Sequence, residues 1–206
     1  MCRFTITGIW PQAGGIPVTG TVGHSPLERK LLEEIKKGSD VILIRTPPSS
    51  YFDSFERLIR FLTAMGKVVY VSLNKPCSSL KKHLKRAGAD LDNLVFIDVV
   101  TRQFSNNVGS DNSCIYVESP NPIQLTVSIE KAMELVNSTP RFIYIDSLST
   151  ISLYKSSDSL MKFLRQLTGK IRFKGFIAVI LVLDNELDPV YFAQASLMCD
   201  AIIEVI

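Results

Sequence analysis

The amino-acid sequence predicts an α/β fold of three layers, α/β/α, around a mostly parallel central sheet. Three observations carry this. Apolar stretches run unbroken, as VILI at 41–44, VVYVSL at 68–73, FIYI at 142–145 and FIAVILVL at 176–183, where a strand with one wet face would alternate. Between them lie segments with apolar residues three and four apart, the helical spacing. Strands buried on both faces need a helical layer on each side, and the alternation of elements supplies those layers.

Taken in order, residues 1–24 are irregular, with prolines and glycines punctuating short β-like pieces such as RFTITGI. Ser25-Pro26-Leu27-Glu28 reads as a capping box with proline at the first helical position, and Gly38 as the cap that ends the leading helix. The strand at 41–44 leads through a tight turn to a helix over 55–65 whose inward face is Phe55, Leu58, Ile59 and Leu62, stopped by Gly66. After the strand at 68–73, Leu80, Leu84 and Ala87 mark a helix stopped by Gly88, followed by a strand at 94–99. Residues 101–113 are polar and read as a mobile loop. A short strand at 114–117, a helix at 122–136, the strand at 142–145 and a helix at 158–173 follow. The strand at 176–183, a helix near 189–198 and a strand at 201–206 complete the order.

At 206 residues, with 46% hydrophobic and 21% charged side chains, the composition is that of an ordinary folded protein. No linker-like stretch divides it, so residues 1–206 read as a single domain in which 1–38 form an irregular segment plus a leading helix. A net charge of +3 selects no partner, because a nucleic-acid stripe depends on clustering. The four cysteines, Cys2, Cys77, Cys114 and Cys199, are far apart and include no C-x-x-C pair; with only His24 and His83 beside them, no zinc site is expected and unpaired thiols are. MCRFTITGIW has no signal-peptide pattern, and the longest apolar run falls far short of the roughly 20 residues of a membrane helix. A cytoplasmic protein is the expectation, with no membrane partner.

The turn after the first strand, RTPPSSYFDS, has the layout of a phosphate-binding loop, G-x-x-x-x-G-K-[ST], without its working residues. Such a loop aims backbone N–H groups into one concavity at a helix N-terminus, and glycine permits both the positive φ and the close approach of phosphate. Here Thr46 and Tyr51 stand at the glycine positions, Phe52 at the lysine and Asp53 at the Ser/Thr.

Four further phrases come in a telling order: VVYVSLNKP at 68–76, GADLDNLVFID at 88–98, FIYIDSLST at 142–150 and CDAIIEVI at 199–206. Together with the turn, they resemble the KaiC-like branch of the RecA-superfamily ATPase domain, over residues 39–206. The resemblance implies a RecA-like P-loop NTPase fold, a family glycine at Ser49 as well, a Walker B carboxylate at Asp146, and a water-activating acid at the position held by Asn74.

The departures fall on the nucleotide-handling positions. Losing the ammonium at 52 removes a charge-assisted hydrogen bond of about 1.5–3 kcal/mol. Asn74, with Lys75 beside it, cannot take a proton as a general base. Asp53 is expected to cap the following helix and to place its own carboxylate at the positive end of the dipole. The expected function is therefore that of a non-catalytic pseudo-ATPase without a cofactor, which acts through a protein partner or self-association as the resemblance implies.

Two alternatives stand beside it. One is a nucleotide-binding ATPase that uses Asp146 with a divalent ion, for which Asp53 and Asp146 are the candidate metal pair; against it, Asp146 can be satisfied by backbone or by Ser147 and Ser149. The other is a nucleic-acid-binding module that uses Lys81, Lys82, Lys85 and Arg86, a cluster that equally suits the wet face of an amphipathic helix and has no aromatics interleaved for base stacking. His83, amid those basic residues, is expected to be exposed.

Overall fold

The computed structural model describes residues 24–105, 111–119, 121–154 and 157–205, with the side chains of 152–157 left aside. The expectations for residues 1–23 lie outside these. Seven strands form one sheet: β1 (Val41–Thr46), β2 (Lys67–Ser72), β3 (Leu94–Asp98), β4 (Cys114–Tyr116), β5 (Arg141–Asp146), β6 (Ile177–Leu183) and β7 (Ala201–Glu204). Their spatial order is β4-β3-β2-β5-β6-β1-β7, and all six neighbouring pairs are parallel.

The unbroken apolar strands are explained by cover on both faces. One face packs α1 (Pro26–Lys37), α2 (Tyr51–Met65) and α3 (Cys77–Arg86) against Ile42, Ile44, Tyr70, Phe96 and Tyr144. The other packs α4 (Pro122–Glu134), α5 (Leu148–Tyr154), α6 (Ser157–Lys174) and α7 (Pro189–Ser196) against Leu43, Val71, Ile143, Ile145 and Ile180. Odd and even residues of each strand thus feed two separate cores.

Local signals act largely as expected. Ser25 Oγ accepts from Glu28 N at 3.2 Å while Glu28 Oε2 accepts from Ser25 N at 2.7 Å, closing the capping box of α1. Gly38 ends that helix in the left-handed region at φ 92°. Gly66 works differently: its backbone is extended, and a Cβ there would lie 2.1 Å from the Pro140 carbonyl oxygen. Glycine is required for close approach, not for a left-handed cap.

Three readings need correction. Helix α2 begins at Tyr51, four residues before the apolar stripe suggested, because the Pro48–Ser50 3-10 turn winds directly into it. The described ends of the polar stretch 101–113 are pinned: Asp98 accepts from the N–H of Val100 and Thr101, and Lys81 Nζ donates to Asp111 Oδ2 at 2.5 Å and Ser113 Oγ at 2.6 Å. Residues 106–110 lie outside the described residues. Cys77 and Cys114 are buried as expected but are not separate; they meet as a disulfide pair between the start of α3 and β4. Their separation of 37 residues hid a pairing that parallel β3–β4 register creates.

No helix among the described residues is long and apolar enough to cross a membrane.

Candidate functional site

At the carboxyl edge of the sheet, adjacent strands whose following helices pass to opposite faces leave a crevice, the usual ligand position in open α/β sheets. Two such places occur. Between β2 and β5, α3 goes to one face and α5 to the other; between β1 and β6, α2 and α7 do the same. Of the sequence-predicted site residues, Tyr51, Phe52, Asn74 and Asp146 gather at the first.

Asp146 ends β5 on the α2 side of the sheet and is 2% exposed. Both carboxylate oxygens are taken: Tyr51 Oη donates to Oδ1 at 2.6 Å and Tyr70 Oη to Oδ2 at 2.5 Å. The satisfying partners are therefore tyrosines, not Ser147 and Ser149. Ser147 Oγ instead lies 3.1 Å from Thr150 Oγ1, and Ser149 Oγ accepts from Leu183 N at 3.3 Å. The Asp146–Ser147 peptide bond is cis.

Burial pushes the Asp146 carboxyl above its ordinary range, while the two tyrosine hydroxyls and the Lys75 ammonium pull the other way. Burial likewise raises Tyr51, Tyr70 and Tyr144, with the Asp146 charge adding to each. The Tyr144 hydroxyl, wholly buried on the same face, has no hydrogen-bond partner among the described residues.

Tyr51 reaches Asp146 because α2 begins so early. The 3-10 turn delivers residue 51 to the first helical position, where its ring stacks on Phe55 at 6.2 Å and meets Phe52 edge-on at 5.1 Å. Asn74 Oδ1 accepts from Thr150 Oγ1 at 3.0 Å, and the Asn74 side chain works against the rise of the Tyr51 hydroxyl's pKa. Lys75 Nζ lies 4.4 Å over the Phe52 ring and 5.8 Å over Phe55, a cation–π contact that closes the outer side. Thr46 is buried, its Oγ1 3.4 Å from Ser54 Oγ, while Ser49 is exposed on the turn.

Asp53 does not join this group. It lies in the first turn of α2, where its charge still complements the dipole, yet its side chain turns outward and accepts from Arg57 Nε at 2.7 Å, one helical turn away. It caps nothing: Ser50 holds the N-cap position, without a side-chain bond. An i,i+4 guanidinium outcompetes the backbone once the helix starts before residue 53. The exposed Asp53 and the buried Asp146 are thus engaged with different partners. Among the described residues no group of three or more His, Cys, Asp or Glu side chains could hold a metal ion.

The residues present do not fit a nucleotide with its metal. Each Asp146 oxygen already accepts a tyrosine hydroxyl, the turn carries side chains where phosphate would approach, and position 74 offers an amide. What the arrangement does chemically is hold a buried carboxylate in a ring of hydroxyls under an aromatic lid. Sequence reading missed Tyr70 and Thr150. The available signal was a tyrosine in an otherwise apolar strand, on the same strand face as Ser72.

The basic cluster is divided. Lys81 is spent on Asp111 and Ser113, while Lys82, Lys85 and Arg86 point to solvent from α3. His83 is half-buried, correcting the exposed expectation: its ring stacks on Phe55 at 5.7 Å and Nε2 lies 2.7 Å from Glu56 Oε1. A second buried carboxylate, which the sequence did not single out, is Asp98, at the end of β3, which receives Cys77 N at 2.6 Å, Val100 N and Thr101 N at 2.8 Å, and Thr101 Oγ1 at 2.6 Å. It caps α3, whose own N-cap residue is Pro76.

No protein-family model matches the sequence, and no curated protein matches it. Solved structures do share its architecture. An uncharacterised protein of Pyrococcus horikoshii, PH0321, determined in complex with an unknown peptide, is similar at a TM-score of 0.64 and 17% identity, covering 85% of this chain and 82% of that one. PH0250 of the same organism is similar at 0.57 and 15%, covering 81% and 82%. The KaiC-like protein PH0186, also of Pyrococcus horikoshii, is similar at 0.57 and 12%, covering 80% of this chain and 70% of that one. At these identities the likeness is one of fold: this chain shares the architecture of these proteins, a KaiC-like one among them.

Proposed function

We propose that this is a non-catalytic pseudo-ATPase on a KaiC-like frame, acting by binding a protein partner in the cytoplasm. The observation that carries the reading is the Tyr51 hydroxyl on Asp146, 2.6 Å away. A side chain from the phosphate-loop position itself occupies the carboxylate that would face a metal. Phe52 and Lys75 close the mouth, and Asn74 removes the base. A polypeptide partner is favoured because PH0321, with the same fold, was determined with a peptide; self-association is the other form such binding takes.

Titration with ATP and Mg²⁺ tests the reading. No thermal stabilisation at millimolar nucleotide is expected, whereas a ligand at 100 times its Kd would add about 2.7 kcal/mol. Sub-millimolar binding, with turnover abolished by Asp146→Asn, would overturn it in favour of a divalent-ion ATPase. Restoring Gly, Lys and Thr at 51, 52 and 53 should recover nucleotide affinity if the surrounding frame is intact.

A further inference from the structure

The second crevice, between the carboxyl ends of β1 and β6, stays open. A cavity of about 290 Å³ lies there between Arg45 and α7, and one of about 230 Å³ adjoins it across the same arginine toward β7. The inner wall is apolar, from Val182, Leu187, Pro189 and Phe192. The rim is acidic, from Asp184, Asp188 and Glu204. Among the described residues Arg45 is the single cation lining either cavity. Three carboxylates against one guanidinium leave a net charge of −2.

Arg45 shows what this wall accepts. Its guanidinium binds Asp184 Oδ1 through Nε at 2.8 Å and Nη2 at 2.5 Å, reaches Glu204 Oε1 at 3.4 Å, and lies 5.1 Å from the centre of the Phe192 ring. An anion entering would meet net negative charge and a guanidinium already engaged. A cation would meet that net negative charge beside the Phe192 ring, with Asp188 Oδ1 also accepting from Val190 N at 2.8 Å and Arg45 lying over one side of the ring. Guanidinium suits this better than ammonium, because it is planar, weakly hydrated and stacks on rings.

We propose that this crevice receives an arginine side chain of the polypeptide partner. The proposal rests on the partner-binding reading above and gives that binding a place at the sheet edge. A capped residue is the form it takes, since the lining offers no free cation to a ligand's own α-carboxylate.

Amide NMR of the full chain with N-acetyl-L-arginine amide tests it. Saturable shifts at Asn185, Phe192 and Glu204 are expected, with none from the neutral isostere N-acetyl-L-citrulline amide and weaker binding of free L-arginine. Glu204→Gln, on an exposed side chain, should weaken the arginine amide about two- to fivefold. Phe192→Leu should weaken it about threefold or more. Equal shifts from the citrulline amide, preference for free arginine, shifts confined to other regions, or no saturable shift would each overturn the assignment. ATP binding in the earlier titration bears on the β2–β5 crevice and leaves these outcomes readable on their own.

Discussion

Tyr51→Phe removes one oxygen and tests the central contact. The carboxyl it serves is 2% exposed and the bond is 2.6 Å long, so with the carboxylate as acceptor it falls among charge-assisted bonds worth about 1.5–3 kcal/mol. Tyr51 itself is only half-buried. Water can reach part of the gap, which places the expected loss at the lower end, about 1.5–2 kcal/mol. For a chain of this size that lowers Tm by roughly 3–8 °C. Urea unfolding followed by circular dichroism should show a lower midpoint with an unchanged slope.

The loss should also depend on pH. Without the hydroxyl, the charged form of Asp146 has one stabiliser fewer, so its folded pKa climbs further above the ordinary 3.8. The destabilisation is then full above the folded pKa of the carboxyl and shrinks as pH falls through it. A variant within about 0.5 kcal/mol of the parent at pH 7, the size of an ordinary surface change, would refute the assignment of Tyr51 as the group that secures Asp146.

Asp146→Asn gives a sign test. The native state holds the Asp146 proton more tightly than the unfolded chain, so wild-type stability falls as pH rises from 3.8 through the raised folded value. The neutral variant lacks this fall; wild type minus variant should therefore decline across that window in urea midpoints, and a difference that rises would contradict the buried-carboxylate account. Gly66→Ala drives a Cβ to 2.1 Å from the Pro140 oxygen and should cost about 3 kcal/mol or more; a cost under about 1 kcal/mol would show that β2 and β5 separate freely there. Asp98→Ala strands three N–H groups and a hydroxyl in the interior and should cost about 3 kcal/mol or more. Hydrogen exchange should then rise at Cys77, Val100 and Thr101, and unchanged protection would deny Asp98 its capping role.

The layered fold was legible because its signals are local and repeated. Unbroken strands, helical spacing and the Ser25 capping box each act within a few residues. The candidate site was legible by position and not by contact. Asp146, Asn74, Tyr51 and Phe52 do meet at one crevice, yet Asp53, given the central role, faces Arg57 instead. Its direction hung on where α2 begins, and the Pro47-Pro48 pair gave a turn without showing that the turn flows into helix. Tyr70, Cys77–Cys114 and Asp98 act across strand register, which alternating apolar patterns do not encode. Short α5 hides inside IDSLST, whose polar residues look like a loop until they are seen bonding one another.

The strand order has a consequence for the chain as it is made. Among the described residues β1 pairs only with β6 and β7, and β6 begins at Ile177, some 130 residues beyond the end of β1. At ordinary synthesis rates of 5–20 residues per second, VILI therefore emerges roughly 7–26 seconds before either of its neighbours exists. Residues 67–146 can already assemble β2, β3, β4 and β5 in that interval, leaving an apolar ribbon with both edges bare. Helices α1 and α2, which flank β1 in sequence and cover one of its faces, are its only native shelter during the wait. A ribosome stalled before residue 177 would carry the segment of this protein most prone to aggregate.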